Sequence, residues 1–188
     1  MVDKKTGIFD LNDAKIHKHY FDVNIASTIG KIYKDDVDTL VDVGCGIGMY
    51  SKFFTNHYKW KCLGLEGTKN IKDISVYKKI RNVDLSKPLG VMPTFDLVFC
   101  LEVGEHIPKE YEDIFINNIV SMADNHIVLS WGIPTQKGKG HVNLRENSYI
   151  KMKMKEKGFK FDIEKTCKLR QRTKFNYFNV SVMAFKKM

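Results

Sequence analysis

The chain has 188 residues, of which 43% are hydrophobic and 28% are charged. These proportions exclude a disordered chain and predict one globular domain spanning residues 1–188. No apolar run approaches the roughly 18 residues of a membrane span, and residues 1–10 do not resemble a signal peptide. The four cysteines are scattered, which argues against a zinc ribbon or a disulfide scaffold and predicts a reducing, cytoplasmic location.

The net charge of +9 is unevenly distributed along the chain. Residues 135–188 carry 15 lysines and arginines against 4 aspartates and glutamates, whereas residues 1–134 carry 16 against 18. A basic third of this kind attracts nucleic acid, sugar nucleotides or lipid phosphates, or is only a solvated, lysine-rich face.

Helical and strand patterns alternate along the chain. Short apolar runs bounded by glycines and polar residues are typical of buried strands, and apolar residues spaced three or four apart are typical of helices. The predicted helices are residues 21–32, 50–57, 108–119 and 147–157. The predicted strands are residues 39–44, 61–66, 81–85, 95–102, 126–131 and, as an antiparallel partner, 177–186. This order predicts an α/β fold with a doubly wound, mostly parallel sheet and ligands beyond the carboxyl ends of its strands.

A glycine-rich loop follows the first predicted strand, in Val41-Asp-Val-Gly-Cys-Gly-Ile-Gly48. Glycines allow a sharp turn and the close approach of a ligand. Glu66 ends the second strand about 20 residues later, where a carboxylate can accept hydrogen bonds from both hydroxyls of a ribose. A dinucleotide fingerprint would require glycine at the position of Met49, so the pattern is G-x-G-x-G instead.

This pattern resembles motif I of the class I S-adenosylmethionine-dependent methyltransferases. The segment from Phe95 to Pro108 resembles motif IV and the residues after it. The resemblance implies a Rossmann-like methyltransferase sheet, S-adenosylmethionine as cofactor, and a helical lid formed by residues 1–36. It implies that the glycines shape the loop under the methionine portion, that Glu66 holds the ribose and that Asp84 faces the adenine. The implied cofactor-binding residues are Asp42, Gly44, Cys45, Gly46, Gly48, Glu66, Gly67, Asp84, Leu85, Cys100 and Leu101.

The tip of the fourth predicted strand carries Glu102-Val-Gly-Glu105-His106, and His141 lies in the loop after the fifth. Transfer of a methyl group to a hydroxyl requires in-line alignment and loss of the hydroxyl proton. Two carboxylates and two imidazoles that meet at one point can bind Mn²⁺, Fe²⁺ or Co²⁺, and less readily Mg²⁺. Such a metal would hold two adjacent acceptor oxygens and lower the pKa of the attacking one, which favours a vicinal diol or a catechol.

The E-x-x-E-H segment resembles two families of metal-dependent methyltransferases. The small-RNA 3′-terminal ribose 2′-O-methyltransferases share this segment and the later histidine, and the ubiquinone-biosynthesis O-methyltransferases share only the segment. The resemblance implies Glu102, Glu105, His106 and His141 as metal ligands, with Glu105, His106 and His141 as catalytic residues. Two alternatives stay open: His106 acts as a metal-free general base, or it is structural.

Three acceptors compete. A sugar hydroxyl on a glycan or sugar nucleotide is preferred, because Ser130-Trp-Gly-Ile-Pro134 and Gly140-His-Val-Asn143 resemble small methyltransferase domains found beside glycosyltransferases, including those of large DNA viruses and phages. A terminal RNA ribose fits the same metal chemistry and the basic segment, but aromatic residues do not obviously interleave with the basic ones. A catechol-like metabolite is third, and a binding subunit without turnover is the non-enzymatic alternative. The sequence does not specify the oligomeric state.

Overall fold

The alternating pattern of the sequence folds into a seven-stranded sheet with helices on both faces. The structure, a computed structural model, describes residues 2–16 and 21–188, so positions 17–20 of the predicted lid lie outside the described residues. The strands are β1 (Thr39–Val43), β2 (Lys61–Glu66), β3 (Ile80–Asn82), β4 (Phe95–Cys100), β5 (Ala123–Ser130), β6 (Phe159–Phe161) and β7 (Val182–Lys187). The helices are α1 (Leu11–Ile16), α2 (Val23–Tyr33), α3 (Met49–Tyr58), α4 (Glu112–Ser121), α5 (Asn147–Glu156), α6 (Ile163–Arg172) and α7 (Phe178–Ser181).

The strand order is β3-β2-β1-β4-β5-β7-β6. Strands β1 to β5 pair in parallel, and β7 runs antiparallel to both β5 and β6. The predicted doubly wound, mostly parallel sheet with an antiparallel last strand is therefore confirmed. None of the helices in the described residues is long and apolar enough to cross a bilayer.

The central strand β4 is buried on both faces, which explains its continuous apolar sequence. Because side chains alternate along a strand, Leu97 and Phe99 pack under α2, α3 and α6, whereas Val98 and Cys100 pack under α4 and α5. The helices contribute fully buried residues to each layer, such as Ile29 to the first. This packing brings the carboxyl ends of β1, β2, β4 and β5 to one edge of the sheet.

Several predicted bounds were wrong. Strand β3 ends at Asn82 rather than at residue 85, because the carboxylate of Asp84 accepts hydrogen bonds from the backbone and hydroxyl of Ser86 and starts a turn there. Residues 178–181 form α7 rather than the start of the last strand, since the Ser181 N–H donates to the Tyr177 carbonyl.

Strand β6 and helix α6 were not predicted, whereas α1 lies within the helical lid implied for residues 1–36. Helix α6 is mostly polar, and its clearest local signal is Asp162, whose side chain accepts a hydrogen bond from the Lys165 N–H and caps the helix. Strand β6 has only three residues, too few for a period to be recognised.

Candidate active site

The glycine loop after β1 turns through three residues of positive φ, Gly44 (72°), Gly46 (55°) and Gly48 (83°). A Cβ atom on Gly44 would lie 2.3 Å from the side chain of Val103, which lies just beyond the end of β4. A side chain at this position would therefore push apart the ends of β1 and β4. The loop brings its backbone N–H groups to the edge of the sheet where a ligand is expected.

Glu66 closes this loop from the neighbouring strand. One carboxylate oxygen, Oε2, accepts a hydrogen bond of 2.8 Å from the Gly46 N–H, and Oε1 accepts one of 2.9 Å from the Thr68 N–H. The sequence-predicted pair of glycine loop and acidic strand end thus lies together at the carboxyl ends of β1 and β2.

The other two predicted cofactor-site carboxylates have different surroundings. Asp42 is buried beneath the loop, and its Oδ2 accepts a 2.7 Å hydrogen bond from the Ser51 hydroxyl on α3. Burial raises the pKa of Asp42 to about 7, although the Ser51 hydrogen bonds oppose this shift. Asp84 lies in the turn after β3, beside Ser86 and 3.2 Å from the Lys87 ammonium. Of the remaining predicted residues, Cys45, Leu85 and Cys100 are buried, while Gly67 and Leu101 are half-buried.

An amino-terminal strap, defined here as residues 2–9, crosses this edge of the sheet. Val2 and Phe9 pair as an isolated bridge, so the strap is a tight loop. A Cβ atom on Gly7 would lie 2.1 Å from the His106 carbonyl oxygen, and one on Gly67 would lie 2.7 Å from the Ile8 side chain. The strap therefore contacts both the cofactor half and the motif half of the site.

Two cavities flank the strap. The smaller, of about 70 Å³, lies between the strap and the glycine loop, and the larger, of about 650 Å³, lies towards β3. Typical ligand pockets hold roughly 300–1,000 Å³, so the smaller cavity is well below that range. The smaller cavity is lined by Thr6, Gly7, Ile8, Phe9, Gly44, Glu66, Gly67, Leu85, Glu102, Val103, His106 and Ile107. The larger cavity includes Asn82, Val83 and Asp84 in its wall.

Three of the four sequence-predicted metal ligands meet beside the smaller cavity. One ligand atom from each of Glu105, His106 and His141 lies within 4.8 Å of the others. Glu105 is fully buried, and neither of its carboxylate oxygens has a hydrogen-bond partner among the described residues. His141 Nε2 lies 4.0 Å from Glu105 Oε1. Burial and the neighbouring Glu102 carboxylate raise the pKa of Glu105.

The two histidines are oriented by backbone carbonyls. His106 Nδ1 lies 3.2 Å from the Gly140 oxygen, and His141 Nδ1 lies 3.1 Å from the Gln136 oxygen. Because a carbonyl oxygen only accepts hydrogen bonds, each Nδ1 carries a proton, and Nε2 is the ring nitrogen left to bind a metal. Burial and the proximity of His141 lower the pKa of His106 to about 4, so its imidazole is neutral at neutral pH.

Glu102, the fourth predicted ligand, lines the same smaller cavity as His106, but its carboxylate is not part of the group of ligand atoms that meet. Its carboxylate accepts hydrogen bonds from the hydroxyls of Ser130 (2.7 Å) and Ser181 (3.2 Å) and from the side-chain amide of Gln136. Its backbone has a φ of 55°, which directs the chain out of β4. In this structure Glu102 therefore joins the end of β5, α7 and the loop that carries His141.

Sequence reasoning missed Ser181, Gln136, Glu112 and Asn143, which hold the segments around the motif. The side-chain hydrogen bonds that join them to Glu102 or to one another span 31 or more residues of the chain. No local pattern marks them, because a single serine, glutamine or asparagine in a loop has no period and no fixed spacing to its partner.

Comparison with known proteins supplies further information on the fold. No protein-family model matches the chain. The chloroplastic tocopherol O-methyltransferase of Arabidopsis thaliana is 25% identical over 108 residues, which span 50% of this chain and 30% of that protein. The chain therefore spans less than a third of the length of this curated relative.

Two solved structures superpose on most of the chain. CalS10, an amino pentose methyltransferase from Micromonospora echinaspora with S-adenosylmethionine bound, aligns with a TM-score of 0.65 and 13% identity over 88% of this chain and 89% of its own. A methyltransferase dependent on S-adenosylmethionine from Clostridium acetobutylicum aligns with a TM-score of 0.65 and 10% identity over 95% and 96% of the two chains. At such identities the likeness is one of fold.

Proposed function

We propose that this chain, which has the Rossmann-like fold of the class I methyltransferases, is an S-adenosylmethionine-dependent O-methyltransferase assisted by a divalent metal. The proposed acceptor is a sugar hydroxyl with a neighbouring hydroxyl, on a glycan or a sugar nucleotide. The observation that carries the proposal is the group formed by the buried Glu105 and the half-buried His106 and His141 beside the cofactor half of the site.

The cofactor half supports this assignment through the glycine loop and Glu66. When bound, S-adenosylmethionine supplies an electrophilic methyl carbon on a sulfonium. Glu66 is positioned to exchange its backbone hydrogen bonds with Gly46 and Thr68 for the ribose hydroxyls. The turn at Asp84, in the wall of the larger cavity, then borders the adenine.

The residues of the motif half fit a divalent cation. Glu105 offers two buried oxygens that have no hydrogen-bond partner in the described residues, and His106 and His141 each offer Nε2, because Nδ1 bonds a backbone carbonyl. One oxygen ligand and two nitrogen ligands suit Mn²⁺ or Fe²⁺ better than Mg²⁺. When bound, such a cation supplies Lewis acidity that lowers the pKa of a coordinated hydroxyl. The backbone carbonyls of Gly140 and Gln136 orient the two rings, as outer partners of metal-binding histidines commonly do.

A metal-free mechanism in which His106 removes the proton is the main alternative. The half-buried His106 has a pKa of about 4, which makes it a weak proton acceptor near neutral pH. The ring of His106 offers a ligand atom within 4.8 Å of one on Glu105 and one on His141, which favours metal binding instead.

The acceptor proposal rests on chemistry that several sugars share. The amino pentose methyltransferase named above shows that this fold can serve a sugar acceptor. The excess of basic residues in 135–188 favours the second candidate, methylation of the 2′-hydroxyl at an RNA 3′ end. We place the activity in the reducing cytoplasm, because all four cysteines are free thiols.

The test is methyl transfer from labelled S-adenosylmethionine to a panel of sugars, sugar nucleotides and short RNAs, with and without a chelator. We expect the chelator to abolish turnover, Mn²⁺ to restore it, and the affinity for S-adenosylhomocysteine to stay unchanged. His141→Gln should lower the rate by at least about a hundredfold, since the metal contributes several kcal/mol to the transition state.

A matched control is His57→Gln, because His57 is an exposed histidine on α3 whose Nδ1 also bonds a backbone carbonyl. This variant should keep full activity. Full turnover in chelator together with an active His141→Gln would exclude the metal mechanism and leave His106 as the proton acceptor. Transfer confined to the 3′-terminal ribose of RNA would establish the second candidate.

A further inference from the structure

We propose that Glu112 is a positioning residue that sets the spacing between Glu105 and His141 through a buried network behind the loop that carries His141. This network, called the anchor network below, comprises Glu112, Trp131, Asn143, Arg145 and Tyr149. The inference rests on the proposed function, because it concerns the geometry of the same metal site. None of the five residues belongs to the E-x-x-E-H segment.

The first link joins the backbones of the two ligand segments. The carbonyl oxygen of Glu105 accepts hydrogen bonds from the N–H groups of Val142 (2.9 Å) and Asn143 (3.0 Å). These two residues directly follow His141. Any shift of Asn143 is therefore passed to the backbone of Glu105 on one side and of His141 on the other.

The second link fixes Asn143 from two directions. Its carbonyl oxygen accepts a 2.6 Å hydrogen bond from the indole N–H of Trp131, and its side-chain amide donates a 2.9 Å hydrogen bond to Glu112 Oε2. Trp131 is fully buried at the end of β5, and Asn143 is 3% exposed. In such a dry setting, losing either hydrogen bond leaves a buried polar atom without a partner.

The third link is the carboxylate of Glu112 at the start of α4. Oε2 also accepts a 2.6 Å hydrogen bond from Arg145 Nε, and Oε1 accepts one of 2.5 Å from the Tyr149 hydroxyl. Glu112 is 4% exposed, so an unpaired charge here would be costly. All three of its side-chain donors in the described part of the chain come from residues 143–149, the segment just beyond His141.

The direction of these links distinguishes positioning from general stabilisation. In the residues that the structure describes, the carboxylate of Glu112 binds only the segment that follows His141. The backbone N–H of Arg145 in that segment donates a 3.0 Å hydrogen bond to the Gly132 carbonyl. The anchor network therefore pins the loop to the end of β5 and to α4, while the ring of His141 faces Glu105 on its other side.

The experiment measures Mn²⁺ affinity by electron paramagnetic resonance of the free ion. Outer partners of metal ligands typically contribute 10- to 100-fold to affinity. We expect Glu112→Gln to raise the dissociation constant for Mn²⁺ about tenfold, and Asn143→Ala to do the same, because this variant removes the same link from the loop side. The affinity for S-adenosylhomocysteine should stay unchanged in both variants.

The matched control is Asp96→Asn. Asp96 Oδ2 also accepts three hydrogen bonds, two from the N–H groups of Asp38 and Thr39 and one from the Thr39 hydroxyl, but at the opposite end of β4. Its replacement should lower the free energy of unfolding and leave the affinity for Mn²⁺ unchanged.

The outcomes separate the inference from the proposed function. Wild-type affinity for Mn²⁺ in folded Glu112→Gln and Asn143→Ala overturns the positioning role and leaves the metal site standing. An equal loss in Asp96→Asn also overturns it, because the effect is then general destabilisation. If Glu112→Gln does not fold, Asn143→Ala alone decides. A wild-type chain that binds no Mn²⁺ overturns the metal site, and the inference with it.

Discussion

Some polar side chains of the E-x-x-E-H segment and its surroundings have all their polar atoms in hydrogen bonds, whereas others keep atoms without a hydrogen bond. His106 and His141 each use Nδ1 on a backbone carbonyl, and Glu105 keeps both carboxylate oxygens open. Glu102, three residues before Glu105, instead binds the hydroxyls of Ser130 and Ser181. Residues of the same motif therefore have different roles, with Glu105 and His106 presenting open atoms and Glu102 holding segments together.

His126 is a buried histidine on β5, away from this group. We predict that it makes the stability of the fold depend on pH. Burial lowers its pKa from 6.5 to about 4; Lys165 and Lys186 add to the shift, and Asp36 and Asp162 oppose it. The unfolded chain binds a proton here as the pH falls below 6.5, whereas the folded chain does so only near pH 4. The folded state therefore loses stability between pH 6.5 and pH 4, by up to about 3 kcal/mol from this residue.

Urea unfolding of the wild type and of His126→Gln at pH 7.5 and at pH 4.5 measures this loss. Other titrating groups are common to both chains, so the difference between the two free energies of unfolding isolates His126. We expect the wild type to lose more stability than the variant on acidification. Equal losses in the two chains would show that the pKa of His126 does not differ between the folded and the unfolded chain.

Among the structural elements, the amino-terminal strap has the most direct effect on access to the site. It leaves only about 70 Å³ beside the glycine loop, although a larger cavity lies next to it. Helix α2, which the sequence assigned to the same lid, instead packs its residues Ile25 and Ile29 into the core of the sheet. Only the first part of that segment thus covers the site in the described residues.

Displacing the strap should therefore ease cofactor binding. Gly7 has a φ of 76°, and a Cβ atom there would lie 2.1 Å from the His106 carbonyl oxygen, so Gly7→Ala should lift the strap from the site. If the closed strap excludes the cofactor, the apparent affinity for S-adenosylhomocysteine should rise several-fold, since the binding-competent fraction increases. Titration calorimetry measures this change.

Gly90→Ala is the control, because Gly90 has a similar φ of 69° but no atom within 4 Å of its Cβ position. This variant introduces the same backbone strain without displacing the strap, and it should bind S-adenosylhomocysteine as the wild type does. Weaker binding by Gly7→Ala than by Gly90→Ala would show that the strap closes over the bound cofactor rather than blocking it.

The charge of the whole molecule bears on the choice of acceptor. Several basic residues of the segment 135–188 are paired within the fold, which reduces the charge that remains for phosphates. The paired residues and their partners are Lys139 with Asp13, Arg145 with Glu112, Lys153 with Asp113, and Lys168 with Glu164. The positive charge that this segment can offer to phosphates is therefore smaller than its composition suggests.

On the sugar proposal, binding of a short single-stranded RNA should be weak and independent of its sequence. The logarithm of the binding constant should fall linearly with the logarithm of salt concentration, because each phosphate contact releases counterions. Fluorescence anisotropy with poly-U and poly-A oligonucleotides between 50 and 200 mM salt, concentrations over which phosphate binding weakens markedly, tests this. Tight binding at the higher concentration would favour RNA as the acceptor.

The features that depend on near neighbours in the chain could be predicted from the sequence. Strand β2 was predicted with its observed bounds, because its apolar run and its terminal Glu66 form a local pattern. The sheet class followed from the order of such patterns, and the glycine loop and the E-x-x-E-H segment followed from their spacing. These features require no knowledge of partners far away in the chain.

Which polar atoms of the candidate site lack a hydrogen bond depends on the tertiary structure and could not be predicted. The carbonyls that bond Nδ1 of His106 and of His141 lie in the loop after β5, and the hydroxyls that bond the carboxylate of Glu102 belong to Ser130 and Ser181. Next to the strap, an ion pair joins Asp13 of α1 to Lys139, which is 126 residues away along the chain. Hydrogen bonds between side chains that distant have no period or spacing in the sequence, so they exist only once the sheet has brought its strand ends together.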